Sequence, residues 1–128
     1  MRHDMLADMF CTVKNAESTG KRMCIISATK LIKEILVIMQ KNNYIGNFEL
    51  IEDGKNGKYK VELTGRVNNC RVVRPRFEIG SDEIIRWEKR YLPSVNVGLM
   101  FVSTSKGVMS HSQAKKEGIG GVLLGYIY

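Results

Sequence analysis

From residue 97 onward the sequence allows few architectures. An apolar run, Val97 to Val102, leads into Ser103-Thr104-Ser105-Lys106-Gly107, and a second apolar run, Val122 to Tyr128, closes the chain. Between them Ser110-His111-Ser112-Gln113 has the form of a capping box, so a helix opens there and Gly118 stops it after two turns. Short apolar runs bounded by turn residues are buried strands. A C-terminal strand of this apolarity must be tied into a sheet, unlike an ordinary frayed terminus. The Ser-Thr-Ser-Lys-Gly stretch then lies at an exposed edge. Its three hydroxyls, one lysine and one glycine form a donor set suited to phosphate and sugar.

The first half shows helical and alternating patterns in turn. Met5, Leu6, Met9, Phe10, Val13 and Ala16 recur at helical spacing, with Asp4 as N-cap and Gly20 as the stop. Met23-Cys24-Ile25-Ile26, within Lys21 to Ser27, reads as a strand, and Ser27 is placed to cap a second helix. The stripe of that helix is Leu31, Ile32, Ile35, Leu36 and Met39; Lys30, Lys33 and Lys41 flank it, and Asn42-Asn43 ends it. Two strands follow, Phe48 to Glu52 and Lys58 to Thr64, joined by Asp53-Gly54-Lys55-Asn56-Gly57. In the second, Tyr59, Val61 and Leu63 alternate with Lys60, Glu62 and Thr64, so one face meets the helices and the other meets water.

Gly65 marks a boundary. The patterns predict an α+β protein: residues 1–65 form an N-terminal helix-strand-helix-strand-strand half, packed against a β-rich half of residues 66–128 with a short helix. In the second half Cys70 to Val73 reads as a strand. Pro75, within Arg74-Pro75-Arg76-Phe77, demands a strand end or edge. Residues 82–91 read as a short helical turn.

With 44% hydrophobic residues the chain can bury a core, which excludes a disordered tail. Twenty basic against 13 acidic residues, a formal charge of +7, favour a polyanionic partner. Residues 1–65 hold ten basic and eight acidic side chains, residues 66–128 ten and five, so the excess lies in the half with the hydroxyl-rich edge. Cys11, Cys24 and Cys70 are far apart and odd in number, which excludes a disulfide framework and a C-x-x-C metal pair. They read as buried reduced thiols of a cytosolic protein. His3 and His111 add no ligand spacing, so no metal site is expected. No signal-peptide core or membrane-length apolar run occurs, and a soluble cytoplasmic protein is expected.

Ser103-Thr104-Ser105-Lys106 fits the S-x-x-K pattern of serine acyl-transfer enzymes, in which the serine opens a helix and the lysine one turn on reaches its hydroxyl. Here Gly107 follows at once and the capping signal comes only at Ser110, which puts the serine in a turn. A small serine hydrolase or transferase using Ser103 and Lys106 is the alternative from another class. Gly118-Ile119-Gly120-Gly121 has the composition of a nucleotide loop but closes a helix instead of opening one. Its glycines let a backbone come close to a ligand. Arg71, Arg74, Arg76, Phe77 and then Arg86, Trp87, Lys89, Arg90, Tyr91 interleave cations and rings as nucleic-acid faces do, although Trp87 suits a core equally well.

Together these residues resemble one family. Ser103-Thr104-Ser105-Lys106-Gly107-Val108-Met109, then Ala114, Gly118-Ile119-Gly120-Gly121 and Tyr126-Ile127-Tyr128, are similar to small-subunit ribosomal protein eight. Asp4-Met5-Leu6-Ala7-Asp8 with Lys14-Asn15-Ala16 resembles its first helix. Tyr44-Ile45-Gly46, Phe48-Glu49, Pro75-Arg76-Phe77 and Trp87-Glu88-Lys89-Arg90-Tyr91-Leu92-Pro93 resemble its archaeal and eukaryotic branch. The resemblance implies a non-catalytic binder of the central domain of small-subunit ribosomal RNA that supports assembly for translation. No cofactor, metal or small-molecule substrate is implied.

By motif match, Thr104 and Ser105 make base and sugar contacts beside Ser103, Lys106 holds phosphate, Gly107 allows close approach, and Gly120-Gly121 lies next to them. Lys14, Asn15 and Lys30 touch RNA backbone, and Arg76 joins the set although spacing near it differs between branches. The implied partners are that RNA and neighbouring small-subunit ribosomal proteins, in the cytoplasmic ribosome. A messenger RNA resembling the ribosomal site would meet the same surface, which makes a translational regulator a further alternative. One position departs from the family: Val122 stands where bacterial relatives usually carry glutamate and archaeal or eukaryotic ones often lysine or arginine.

Overall fold

A computed structural model describes residues 5–52, 54, 57–73, 78–93 and 97–128 of the chain. The expected cap at Asp4 and the Arg74-Pro75-Arg76-Phe77 turn lie outside the described residues. The chain divides into two compact units, Met1–Cys70 and Arg71–Tyr128. Each is α+β, with antiparallel sheets.

The first unit runs α1 (Met5–Ser18), β1 (Met23–Ser27), α2 (Lys30–Lys41), β2 (Ile45–Ile51) and β3 (Lys58–Leu63). Along α1 the residues at helical spacing, Leu6, Met9, Phe10, Val13 and Ala16, are all buried. The helix closes with Lys21 N–H donating back to the Ala16 carbonyl at 2.9 Å. In α2, Ile32, Ile35, Leu36 and Met39 are buried and Leu31 is half-buried. The sheet order is β1-β3-β2, with Cys24 opposite Val61 and Phe48 opposite Val61 on the other side. As the alternation in β3 predicts, Tyr59, Val61 and Leu63 are buried while Lys58 and Glu62 are exposed.

Two local expectations fail here. Ser27 does not cap α2, because it is still paired with Lys58 in the ladder. Thr29 is the cap, its hydroxyl accepting from Ile32 N–H at 3.2 Å. The second strand starts at Ile45 instead of Phe48: Ile45 pairs with Leu63, and an irregularity between Ile45 and Phe48 hides the period in the sequence.

The second unit contains most of β4 (Cys70–Val72), then β5 (Glu78–Ile79), α3 (Ile84–Tyr91), β6 (Leu99–Thr104), β7 (Gly107–Ser110), α4 (His111–Glu117) and β8 (Gly121–Ile127). The order is β4-β8-β6-β7, with β5 also paired to β8. The last strand is therefore an inner one. Leu99 to Val102 are buried at four successive positions, and Leu123 to Gly125 at three, as expected where both faces of a strand are covered. The core joins Val73, Ile79, Ile84, Leu92, Met100, Val102, Ala114 and Leu123.

The strand predicted over Val97 to Val102 is displaced: β6 begins at Leu99, after Gly98, and continues through Ser103 and Thr104. Ser103, expected in a turn, sits in the ladder opposite both Val108 and Val122. The helical turn near residues 82–91 is a helix of eight residues. Ser110 caps α4 as its pattern predicts, accepting from Gln113 N–H at 3.3 Å, and Gly118 stops it in the left-handed conformation with φ 69°.

Candidate nucleic-acid interface

β6 and β7 form a hairpin whose tip is Ser105-Lys106. Thr104 pairs with Gly107, and Gly107 takes φ 113°, a conformation that favours glycine. The Thr104 hydroxyl donates to the Gly107 carbonyl at 2.8 Å and accepts from Lys106 N–H at 3.1 Å. Thr104 thus holds the turn, with one remaining lone pair for a ligand. Ser105 is exposed at the tip, and its hydroxyl has no partner among the described residues. Lys106 is also exposed; its Nζ lies 3.5 Å from Glu117 Oε1, whose other oxygen accepts from Gln113 Nε2 at 3.1 Å. Sequence reasoning missed that ion pair.

Of the glycines expected beside the hydroxyl stretch, Gly121 lies against Ser103 and Gly120 against Ile79, for a reason internal to the sheet. A Cβ on Gly121 would stand 2.2 Å from the Ser103 carbonyl oxygen, and one on Gly120 would stand 2.2 Å from that of Ile79. These glycines let β8 close onto β6 and β5. Val122 continues β8, opposite Glu78 on one side and Ser103 on the other.

In the first unit Lys14 is half-buried and Asn15 exposed, both in the second half of α1, whereas Lys30 is exposed as the first residue of α2. These three belong to a different unit from the hairpin. Arg76 lies outside the described residues.

A buried polar cluster within the second unit was also missed. Glu88, 4% exposed, accepts from Lys115 Nζ at 2.9 Å and faces His111 Nε2 at 3.3 Å. His111, 3% exposed, takes the Met100 N–H on Nδ1 at 3.0 Å, so in the neutral ring the proton is on Nε2 and faces Glu88. Burial pushes the His111 pKa below its ordinary value; the Glu88 carboxylate opposes this and the Lys115 ammonium adds to it. A signal existed in the sequence: Glu88 follows Ile84 by one helical turn, on the face of α3 that goes inward.

Beside it, Trp87, Tyr91, Tyr126 and Tyr128 form a series of stacked rings. Successive centroids are 5.9, 5.2 and 6.1 Å apart, with interplanar angles of 8°, 25° and 8°. Trp87 is half-buried against the core, so it serves as core and as surface.

Of the three thiols, Cys24 and Cys70 are buried, as expected, but Cys11 is exposed. Burial pushes Cys24 up to about 11 and Cys70 up to about 12. Among the described residues no group of three or more His, Cys, Asp or Glu is placed to hold a metal, and no helix is long and apolar enough to cross a membrane.

A family model described as Ribosomal protein S8 matches residues 4–128. The Small ribosomal subunit protein uS8 of Methanoregula boonei is 53% identical over 128 residues, covering 99% of this chain and 98% of the relative. The protein of the same name from Methanosphaerula palustris is 47% identical over 128 residues with the same coverage. That of Caldivirga maquilingensis is 45% identical over 126 residues, 98% of this chain and 97% of the relative.

Proposed function

Because the chain belongs to the ribosomal protein S8 family, we propose that it is a structural part of the small ribosomal subunit that binds the central domain of small-subunit ribosomal RNA. Its partners are that RNA and neighbouring ribosomal proteins, in the cytoplasm, and it catalyses nothing. The observation that carries this reading is the Ser105-Lys106 tip, held by Thr104 and Gly107 on a strand that is buried up to Val102. Fixed donors discriminate better than mobile ones.

Recognition in this reading is of RNA shape. The deep groove of A-form RNA is too narrow to read, so hydroxyls meet 2′-hydroxyls, the shallow groove and bases exposed at an irregular junction. Ser105 offers a hydroxyl directly, while Thr104 fixes its direction. Lys106 holds phosphate, which sets register without choosing sequence. To do so it leaves Glu117, an exposed pairing worth about 0.5 kcal/mol or less. Lys14, Asn15 and Lys30 touch RNA backbone, and Arg76 is a further contact residue in this reading. Gly121 acts through the sheet by letting β8 close onto Ser103, and Gly120 by the close approach to Ile79.

The enzyme alternative is disfavoured by local geometry: Ser103 lies in a β-ladder and the Lys106 amine faces Glu117, so the pair does not share one helical turn. Regulation of a messenger would use this same surface.

The test compares wild type with Thr104→Ala, Ser105→Ala at one fixed salt, titrating an irregular junction RNA and a regular duplex. Two lost hydrogen bonds at about 0.5 to 1.5 kcal/mol each predict a roughly tenfold to hundredfold loss on the junction. The duplex should hardly change. Ser105→Ala alone, which leaves the turn's own bonds intact, should account for about half of the loss in free energy. Equal losses on both RNAs would make the hairpin a general adhesive. Sedimentation of a lysate should carry the protein with small subunits.

A further inference from the structure

Helix α3 carries cations without an exposed acid of its own. Arg86, Lys89 and Arg90 are exposed, while its one carboxylate, Glu88, is turned inward onto His111 and Lys115. Asp82 and Glu83 precede the first turn, and Lys89 and Arg90 stand in the last turn, next to Trp87 and Tyr91. Cations there complement the helix dipole, which accounts for their sign but not for the rings beside them. Those rings continue through Tyr126 to Tyr128, and each of the four is partly exposed. The Arg90 guanidinium carbon lies 5.2 Å from the Trp87 ring centroid and 5.7 Å from that of Tyr91. A guanidinium laid over rings keeps its in-plane N–H donors directed outward, where they fit a phosphate.

We propose that this stacked-ring face is a second RNA contact, which holds an unpaired segment with Lys89 and Arg90 on phosphate and the rings against bases or riboses. The inference rests on the RNA-binding reading above. The face is at the far end of the β6–β8 pair from the hydroxyl turn: Ser103 pairs with Val122 at one end and Leu99 with Ile127 at the other. β8, from Gly121 to Ile127, covers about 20 Å, a distance bridged by a few nucleotides of single strand. One RNA can therefore be gripped at a junction and along the unpaired segment that leaves it. An acidic protein surface would satisfy the cations but lacks the regular alternation of phosphates and flat bases that suits cations beside a series of rings.

Trp87 is the chain's one tryptophan, so its emission reports on this face alone. The probe is a single-stranded ten-nucleotide oligoadenylate RNA added to the full chain, with the RNA's own anisotropy followed in parallel. Saturable quenching of Trp87 is expected, in step with the rise in anisotropy. The double variant Lys89→Ala, Arg90→Ala should weaken oligoadenylate binding about tenfold and lower the log–log salt slope by about 1.4, two phosphates at about 0.7 each. Arg90→Lys paired with wild-type Lys89 should restore the slope and only part of the affinity, because the planar stack is lost. Oligoadenylate that binds without changing Trp87 emission would overturn the proposal while leaving the hairpin reading intact. Polyglutamate that quenches Trp87 as strongly at equal charge would overturn it too, in favour of an acidic partner. Failure of the hairpin reading reads out separately, as junction binding that survives loss of Thr104 and Ser105 hydroxyls.

Discussion

The two units cover their sheets differently. In the first, β1 and β3 alternate strictly, and Met23, Ile25, Lys58 and Glu62 are left exposed on one face. In the second, β6 is buried without a break from Leu99 to Val102 and β8 from Leu123 to Gly125. A half-covered strand can present polar side chains anywhere along its length. One covered on both faces can do so only where it runs out of the core. Ser103, Thr104 and the tip beyond them stand at that exit.

Net charge separates the units less than it separates residues 1–65 from 66–128. Divided after Cys70, the first unit has 11 basic and 8 acidic side chains and the second 9 and 5. The second unit differs in arrangement: Glu88 is withdrawn from the surface while its neighbours Lys89 and Arg90 stay on it.

The contrast can be broken most severely at the C-terminus. Deleting Ile127 and Tyr128 removes a fully buried side chain paired with Leu99, and should cost about 2 to 5 kcal/mol. Trp87 emission should then show unfolding at a lower temperature, while the reactivity of Cys24, a buried thiol of the first unit, reports whether that unit is spared. An unchanged Trp87 midpoint would mean that the last strand is dispensable. Next in size is Gly121→Ala, whose new methyl group would meet the Ser103 carbonyl; about 3 kcal/mol is expected. Gly118→Ala, with nothing within 4 Å but a left-handed backbone, should cost about 1 kcal/mol. Equal costs would remove the argument that strands pack unusually close there.

A smaller effect sharpens the contrast in function. Lys106→Ala should lower the salt slope of RNA binding by about 0.7 to 0.9, on RNA of any sequence. A total slope near zero in the wild type would remove electrostatics from the account.

The smallest effect is with pH. His111 is held below its ordinary pKa by burial, so the unfolded chain takes up the proton first as pH falls. Its contribution to stability is whole above about pH 6.5 and is lost as pH falls from there through the folded value. The Trp87 thermal midpoint should drop on acidification more in wild type than in His111→Gln. A parallel drop in both would assign the acid sensitivity elsewhere.

How much of this was legible depended on how local each cause is. The stripes of α1 and α2 and the alternation in β3 are local patterns, and burial follows them residue by residue. β7 left no such trace: Gly107, Val108, Met109 and Ser110 are all half-buried, with no alternation to read. Ser27 and Thr29 are both good caps, and only pairing with the distant Lys58 decides between them. Within the candidate site, composition alone pointed to the hydroxyl turn. That Thr104 holds the turn, that Lys106 meets Glu117 and that Glu88 faces inward all depend on segments far apart in sequence.

The inner position of β8 also sets an order in time. A chain made from its N-terminus at about 5–20 residues per second completes the first unit's sequence before any of the second is available. The Ser105-Lys106 tip is made before Gly121, the residue that abuts Ser103, so through that interval β6 lacks its neighbour on one side. A copy cut short before its final strand therefore carries the hydroxyl residues without the sheet that aims them. Emergence of β8, and not the appearance of the motif, is the event that completes the sheet around Ser103.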